Sequence, residues 1–407
     1  MRPVILSDLE AAAEASRKAL RRQVQTIFDE FSEEKDVLFI DLEKVIGVIL
    51  SSKYMEGETL AVLVDFCNYD DVRYLVLRGL LKKIQTPEDH SCFKLLDYLI
   101  FCEEITLPDI NSNDFSFLSS ISPTSDHSAK NLRLHGSMLQ KITLILKDRV
   151  DGSLKRHFIV SCISVMDKLP KPFLLGDFYA ACLKEGGING VLSLNGVIKL
   201  MQNHNFEYPD FFKDLYALIR PENFLNKKYF GNLISSIDLC LSSSNISQII
   251  VASFIKRLAR IALFSTPDVI YLILHVLHNA LVRHVACRVL IDKKSSVPDK
   301  EEDVDLFKDN EDNPSATGAL DSTLWEVVAL QKHWHPLVAK RATKFSSKAP
   351  RIEESISTAL LDASLLSYRK STEFTKKASN VFNVKSDIIR MNFEPPVANE
   401  FLAPFCH

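Results

Sequence analysis

Glycine is scarce in this chain, which holds 12 glycines in 407 residues, well below the roughly 7% of an average protein. A low glycine content with abundant leucine, isoleucine, lysine, glutamate and alanine favours helices over sheets. The eight cysteines are scattered singly and no Cys-x-x-Cys pair occurs. That scatter is typical of reduced, mostly buried thiols in a cytosolic or nuclear protein.

The chain also lacks an apolar run long enough to cross a membrane. Its most membrane-like window, residues 269–282, contains His275, His278 and Asn279, whereas a spanning helix needs about 20 predominantly apolar residues. The window therefore predicts a helix buried inside the protein, opened by Pro267.

Signatures of catalysis and metal binding are missing as well. The turn at residues 186–190 lacks the Gly-Lys-Ser/Thr ending of a phosphate loop, and no Gly-x-Ser-x-Gly elbow occurs. His275 and His278 share a helix face and His333 and His335 lie two apart, but neither pair has a third ligand nearby. We expect no catalytic residue, no cofactor and no metal.

The hydrophobic content of 46% allows a large core, and the formal net charge is −3. The periodicity predicts an all-α chain of a dozen or more short-linked helices, an irregular stack of the HEAT or armadillo kind. The predicted domains are N-terminal repeats (1–106), a serine-rich linker (107–130), a helical domain (131–345), and a C-terminal helix with a basic tail (346–407).

Two segments are expected to stay outside the stack. Residues 298–314 hold eight acids against Lys300 and Lys308, a composition that predicts a disordered, solvated loop. The tail after Thr372 has weak periodicity, and we expect it to become ordered only against a partner.

Three blocks of sequence follow one another around the acidic segment: residues 208–212 (YPDFF), 254–262 (FIKRLARIA) and 324–330 (LWEVVAL), the last closing on 333–336 (HWHP). In this order they resemble the CBF-type family of ribosome-assembly factors, over residues 173–345. The resemblance implies a non-catalytic nucleolar protein of small-subunit biogenesis. It also implies a stable partner, nucleolar protein 14, and work on pre-ribosomal RNA within the early precursor particle.

Three alternatives remain open at this point. One is a helical-repeat adaptor or transport receptor outside ribosome assembly, which would carry a cargo and have no nucleolar partner. Another is a divergent enzyme that uses a cysteine or histidine, which would lose activity but not its fold on substitution of His333, His335 or Cys287. The third is a member of a sister nucleolar complex that serves the large subunit.

On a helical wheel, Lys256, Arg257 and Arg260 fall within an arc of about 100°. The functional interpretation is a ridge that contacts RNA phosphates, and the alternatives are a protein-partner ridge or the solvated face of a core helix. Two surfaces are expected to hold the partner, a groove built by residues 211–263 and the segment from Trp325 onward. The candidate partner-binding residues are Phe211, Phe212, Tyr216, Trp325, Trp334, His335, Tyr368 and Phe393.

His335-Pro336 predicts a helix boundary, because proline disfavours helix at the residue before it and suits a first turn. Residues 325–333 are then expected to form one helix. Trp325 and Val328 would lead its buried face, and Trp334 would wedge the corner.

Overall fold

The computed structural model describes residues 3–33, 38–51, 57–85, 92–107, 116–119, 132–225, 227–243, 245–292, 305–347 and 352–363. Every regular element in these ranges is helical, and none of the ranges contains a β-strand. The all-α helical stack predicted from the composition and periodicity is confirmed. By its internal contacts the chain divides into two units, residues 1–218 and 219–407.

The first unit is a stack of helices. Its α-helices are α1 (Pro3–Ala15), α2 (Arg17–Glu33), α3 (Phe39–Ser51), α4 (Gly57–Phe66), α5 (Asp70–Gln85), α6 (Cys92–Glu104), α7 (Leu132–Arg149), α8 (Gly152–Val165), α9 (Gly176–Glu185), α10 (Gly187–Asn203) and α11 (Phe211–Leu218).

Helices two apart in the chain pack together along the first unit, from α1 against α3 to α6 against α8, and α8 also packs against α10. Such alternation arises when each helix has an apolar face that a single neighbour cannot cover. On α3, for example, the apolar residues Leu42, Val45, Ile46 and Ile49 are all buried, at helical spacing.

Four residues of the predicted serine-rich linker, 116–119, are bound to the start of α5. The carboxylate of Asp71 accepts hydrogen bonds from the backbone N–H groups of Leu118 (3.1 Å) and Ser119 (2.7 Å). The carboxylate of Asp70 accepts one from the Ser116 N–H at 3.0 Å. Asp71 thereby satisfies two buried backbone donors, and Asp70 holds the more exposed end of the segment.

The second unit is built around a central pair of helices, α14 and α15, which pack on each other. Its α-helices are α12 (Pro221–Leu225), α13 (Lys227–Cys240), α14 (Gln248–Leu263), α15 (Pro267–Arg283), α16 (Val289–Asp292), α17 (Trp325–Leu330), α18 (Pro336–Ser347) and α19 (residues 356–363).

Helix α15 is the buried helix that the sequence predicts. It has Pro267 in its first turn, and Leu272, Ile273 and Leu274 are at most 3% exposed. Each fully buried side chain of this size stabilises the fold by about 1.5–3 kcal/mol relative to leaving it in water. Helices α13 and α18 both pack against α15.

Within the described residues, no single helix is long and apolar enough to cross a membrane. Helix α15 together with residues 285–291 passes a test of length and composition only as a pair bent by 119°.

Candidate functional site

The cations of α14 do not form an exposed ridge. Lys256 is 0% exposed, and its ammonium nitrogen lies 2.8 Å from Glu326 and 3.0 Å from Asp305. Arg260 lies 2.5 Å from Asp305 and 2.7 Å from Glu326. The prediction of a phosphate-contacting ridge is wrong for Lys256, because acids from two later segments cover and neutralise this face of the helix.

Asp305 is the shared acceptor of this ion-pair cluster, which we define as Lys256, Arg260, Asp305, Trp325 and Glu326. The indole N–H of Trp325 donates to its carboxylate at 2.9 Å. Burial raises the pKa of Asp305, but hydrogen bonds from Ser322, Trp325 and Lys256 outweigh burial and hold the pKa well below its ordinary value. The carboxylate therefore stays charged.

Trp325 lies against the cations of the cluster. The guanidinium of Arg260 is 4.7 Å from the centre of the indole ring, and the ammonium of Lys256 is 5.6 Å from it. Cations over an aromatic face are attracted by its quadrupole. Trp325 is therefore half-buried and joins α17 to α14, so only part of its ring is accessible to a partner.

The second half of the acidic segment is folded, so the prediction of a disordered loop is wrong for residues 305–314. Arg257 donates to the backbone oxygen of Asp309 at 3.0 Å, and the hydroxyl of Ser253 donates to that of Pro314 at 2.6 Å. Phe307 is 6% exposed. The prediction rested on the number of acidic residues in this segment. It could not take account of the cations of α14 that pair with them.

A cavity of about 440 Å³ opens beside this segment. Its wall combines apolar side chains with three guanidinium groups and two carboxylates, from Ile219, Arg220, Pro221, Arg257, Arg260, Ile261, Phe264, Asp309, Asn310 and Asp312. Asp312 lies 3.8 Å from Arg220 and 4.0 Å from Arg257. Phe264 is 88% exposed on this wall. The cavity is nearly neutral in charge and partly apolar.

The predicted partner-binding aromatics of α11 lie mostly in the core of the first unit. Phe211 is 3% exposed and Tyr216 is 0% exposed, whereas Phe212 is half-buried. Phe211 and Phe212 contact each other edge to face, with ring centres 5.3 Å apart. The prediction of partner contact through Phe211 or Tyr216 is wrong for the surface of this fold, because both side chains are buried and α11 packs against α9 and α10.

The corner between α17 and α18 departs from its predicted form. Helix α17 ends at Leu330 instead of His333, and its buried residues are Glu326, Val327 and Leu330. The predicted boundary before Pro336 is confirmed, since α18 begins there.

Trp334 does not wedge this corner but is 70% exposed. Its ring lies between those of His333 and His335, each 5.4 Å away between centres. The backbone N–H of His335 donates to Nδ1 of His333 at 3.1 Å. Both partner-binding candidates of the corner, Trp334 and His335, therefore belong to one short aromatic turn.

Sequence reasoning missed three side chains of α15, those of His275, His278 and Asn279, that form hydrogen bonds with the backbone of residues 352–354. We call this group the clamp. The side-chain amide of Asn279 donates to the Glu354 carbonyl at 2.9 Å and accepts from the Glu354 N–H at 3.0 Å. His278 donates from Nε2 to the Ile352 carbonyl at 2.9 Å. The signal available in the sequence was three polar residues, His275, His278 and Asn279, at helical spacing in an otherwise apolar helix.

Arg341 fixes the protonation of this clamp. It donates to Nδ1 of His275 at 2.8 Å, so the proton of His275 is on Nε2, which donates to the Glu354 carbonyl at 3.0 Å. Burial and the Arg341 charge lower the pKa of His275. The histidine pair that resembled half a metal site is thus a neutral holder of a peptide backbone.

The described thiols are unsuited to nucleophilic catalysis. Six free cysteines are buried, as their scatter in the sequence predicts. Burial raises the pKa of Cys67, Cys102 and Cys240 to about 12 and that of Cys287 to about 11. Within the described ranges, no three His, Cys, Asp or Glu side chains are grouped so as to hold a metal ion.

Two candidate residues, Tyr368 and Phe393, lie outside the described residues. The same holds for residues 298–304 of the acidic segment and for the basic tail from residue 364 onward.

Comparison with known proteins gives a consistent result. Residues 190–342 match the CBF/Mak21 family. The chain is 31% identical over 347 residues to the nucleolar complex protein 4 homolog of Gallus gallus. This alignment covers 81% of this chain and 67% of the Gallus gallus protein. The chain is 32% identical over 324 residues to the Homo sapiens homolog, which covers 78% and 62% respectively.

A third relative, nucleolar complex protein 4 homolog A of Xenopus laevis, is 32% identical over 346 residues, covering 81% of this chain and 65% of that protein. The chain thus spans between 62% and 67% of the length of these three relatives. Relatives of this name over most of the chain indicate a nucleolar, and therefore nuclear, protein. On the family match and on this shared identity, the chain belongs to the CBF/Mak21 family, alongside the nucleolar complex protein 4 homologues.

Proposed function

We propose that the protein is a non-catalytic scaffold of small ribosomal subunit biogenesis. It binds nucleolar protein 14 within the early pre-ribosomal particle and supports pre-ribosomal RNA processing and precursor export. The observation that carries this proposal is the identity to nucleolar complex protein 4 homologues over most of the chain. Family membership supports the coarser role, in nucleolar ribosome biogenesis.

The structure supports a binding role in physical terms. A helical stack presents many side chains on a rigid frame, which suits the binding of macromolecules. The raised thiol pKa values and the hydrogen-bonded, neutral histidines of the clamp do not favour acid–base or nucleophilic work.

We place the contact with nucleolar protein 14 at the cavity of the second unit. Its guanidinium groups are matched by carboxylates, so a phosphate backbone gains little there, whereas a peptide with apolar anchors and mixed charge fits it. Phe264, at 88% exposure, is the exposed aromatic that such a partner would cover. Aromatic side chains near the centre of an interface carry much of its binding energy.

The first test is affinity purification of the tagged protein from its own cells, with mass spectrometry and RNA sequencing of the eluate. Nucleolar protein 14 together with small-subunit precursor RNA is the expected result. Large-subunit precursors would instead move the protein to a sister complex. Absence of any ribosomal precursor would favour an adaptor or transport receptor outside ribosome assembly.

A variant sharpens this test. Phe264→Ala is expected to lower the recovery of nucleolar protein 14, because truncating a buried interface aromatic costs about 2 kcal/mol or more, a loss of affinity of roughly 30-fold. The matched control is Val285→Ala, a second exposed apolar residue of the same unit, at 61%. Equal losses in both variants, or none in either, would remove the cavity from the interface.

A further inference from the structure

We propose that the corner between α17 and α18 is a binding site for single-stranded RNA. We define this corner face as Lys332, Trp334, Leu337, Lys340 and Lys344. A base stacks on the indole of Trp334, and the lysines contact the phosphates. The inference deepens the proposed function, on which it rests for the identity of the RNA, by assigning that RNA a site on this chain.

Trp334 exposes most of its indole ring to solvent. An indole that is 70% exposed leaves apolar surface in water that burial would stabilise. The flanking rings of His333 and His335, and the backbone bond from His335 to His333, set the ring in place. A ring held in advance loses little conformational freedom when a base stacks on it.

The sequence around the corner face is rich in basic residues and has no acidic ones. From Val327 to Ile352 the sequence has no aspartate or glutamate, and it has Lys332, Lys340, Arg341, Lys344, Lys348 and Arg351. Lys332 and Lys340 are exposed, and neither forms an ion pair with any residue that the structure describes. Such cations are available to phosphates, and binding them releases the counterions of the nucleic acid.

The cations of α14 provide the contrast. Lys256 and Arg260 are each paired to Asp305 and Glu326 at 2.5–3.0 Å. A phosphate would have to break these buried pairs and leave carboxylates uncompensated, which is strongly unfavourable. The RNA-binding role that the helical wheel assigned to α14 is better supplied by α18.

Three residues of the corner face form a row on α18. Leu337, Lys340 and Lys344 are three and four residues apart on α18, so they lie along one side of the helix, about one turn of 5.4 Å from one to the next. All three are exposed, at 44% for Leu337 and 49% for the Lys344 side chain. Trp334 is two residues before Pro336, the first residue of this helix, at the N-terminal end of the row.

An aromatic platform beside a row of cations is how proteins bind single strands without reading sequence, by base stacking and phosphate contact. An acidic peptide would use the lysines but would gain little from the flat face of an exposed indole. Lys344 is shared with Glu354, 3.2 Å away, so Lys332 and Lys340 carry most of the phosphate contact.

The test is fluorescence anisotropy of a labelled 12-nucleotide single-stranded RNA of mixed sequence, titrated with the purified full-length chain. Trp334→Ala is expected to bind about tenfold more weakly, within the range for loss of one base–aromatic stack. Trp334→Phe is expected to retain part of the affinity. Since the indole is exposed, all variants are expected to melt at the wild-type temperature.

Salt dependence separates the lysines from the ring. The double variant Lys332→Ala with Lys340→Ala is expected to reduce the slope of log affinity against log salt by about 1.4, since each phosphate contact to a single strand contributes about 0.7. Trp334→Ala is expected to leave this slope unchanged. The matched controls are Phe173→Ala and Lys308→Ala, an exposed aromatic and an exposed lysine elsewhere in the chain.

Wild-type affinity in Trp334→Ala, or an unchanged salt slope in the lysine variant, would overturn the proposal. So would full displacement of the RNA by an equal concentration of a poly-glutamate peptide. These outcomes are independent of the proposed function, because the cellular purification can still recover small-subunit precursors when this site fails.

Discussion

At the scale of single residues, Lys256 shows how packing changes the meaning of a motif. The wheel places it beside Arg257 and Arg260, and that grouping holds. What a wheel cannot show is that Asp305 and Glu326, which follow Lys256 by 49 and 70 residues in the sequence, pack against the same face. A cluster of cations in a sequence therefore forms an exposed basic surface only if no other segment packs acidic side chains against it.

Removing Lys256 is expected to destabilise the second unit. Lys256→Ala leaves Glu326, which is 0% exposed, with only one of its two neighbouring cations, and breaking a buried pair from one side costs about 3–5 kcal/mol. Both tryptophans of the chain lie in this unit, so urea unfolding followed by indole emission reports it directly.

Lys308→Ala, at an exposed lysine, is the control and is expected to stay within about 0.5 kcal/mol of the wild type. The double variant Lys256→Met with Glu326→Gln is expected to recover part of the loss, because it removes both buried charges. A Lys256→Ala protein as stable as the wild type would contradict the assignment of Lys256 to a structural cluster.

His135 gives a pH prediction in the first unit. It is 0% exposed, and neither ring nitrogen has a hydrogen-bond partner among the described residues. Burial, together with the nearby Arg73 charge, lowers the pKa of His135 from 6.5 to about 4. Between pH 6.5 and pH 4, His135 is therefore protonated in the unfolded chain but stays neutral in the folded chain. The free energy of unfolding falls as the pH drops through this range, because protonation stabilises the unfolded state.

The expected size of this effect is about 3 kcal/mol at pH 4. His135→Leu is expected to remove that part of the pH dependence, measured by urea unfolding followed by circular dichroism at pH 7 and pH 4. His157→Leu, at an exposed histidine, is the control and should follow the wild type. Identical pH dependence in the wild type and in His135→Leu would show that His135 is protonated inside the fold.

At the scale of elements, hydrophobic periodicity correctly predicted helices whose position is set by the local sequence. The buried helix α15, its start at Pro267 and the start of α18 at Pro336 follow from apolar spacing and from proline geometry. The fold of residues 305–314 does not, because those residues hold few apolar side chains and are ordered by partners on α14. The clamp on α15 is of the same kind, since its ligand is a backbone segment 75 residues away.

The clamp predicts how the C-terminal segment is anchored. Asn279→Ala removes two hydrogen bonds to the backbone of Glu354, each worth about 0.5–1.5 kcal/mol net. Residues 352–363 are expected to exchange their amide hydrogens about 10- to 100-fold faster, measured by hydrogen–deuterium exchange with mass spectrometry.

Asn189→Ala is the control, because the Asn189 amide also makes a hydrogen bond, but to the exposed side chain of Glu185. It is expected to leave exchange at residues 352–363 unchanged. Unaltered protection there in Asn279→Ala would mean that the packing of α19, and not the clamp, holds the segment.

At the scale of the whole molecule, scarce glycine and helical periodicity predicted an all-α stack, and the block order predicted the family. The placement of exposed side chains was not predictable, because it depends on which helix faces remain uncovered after packing. Phe211 and Tyr216 went into the core, whereas Phe264 and Trp334 remained outside. Phe264 and Trp334 differ in charge environment, and we assign them to different partners for that reason.

The central claim is that the protein acts by binding nucleolar protein 14, without chemistry of its own. The most direct measurement mixes the purified full-length chain with purified nucleolar protein 14 and follows the mixture by analytical ultracentrifugation. We expect a single faster-sedimenting species at micromolar concentration, whose formation Phe264→Ala weakens and Val285→Ala leaves unchanged. Two components that sediment independently at every concentration would contradict it.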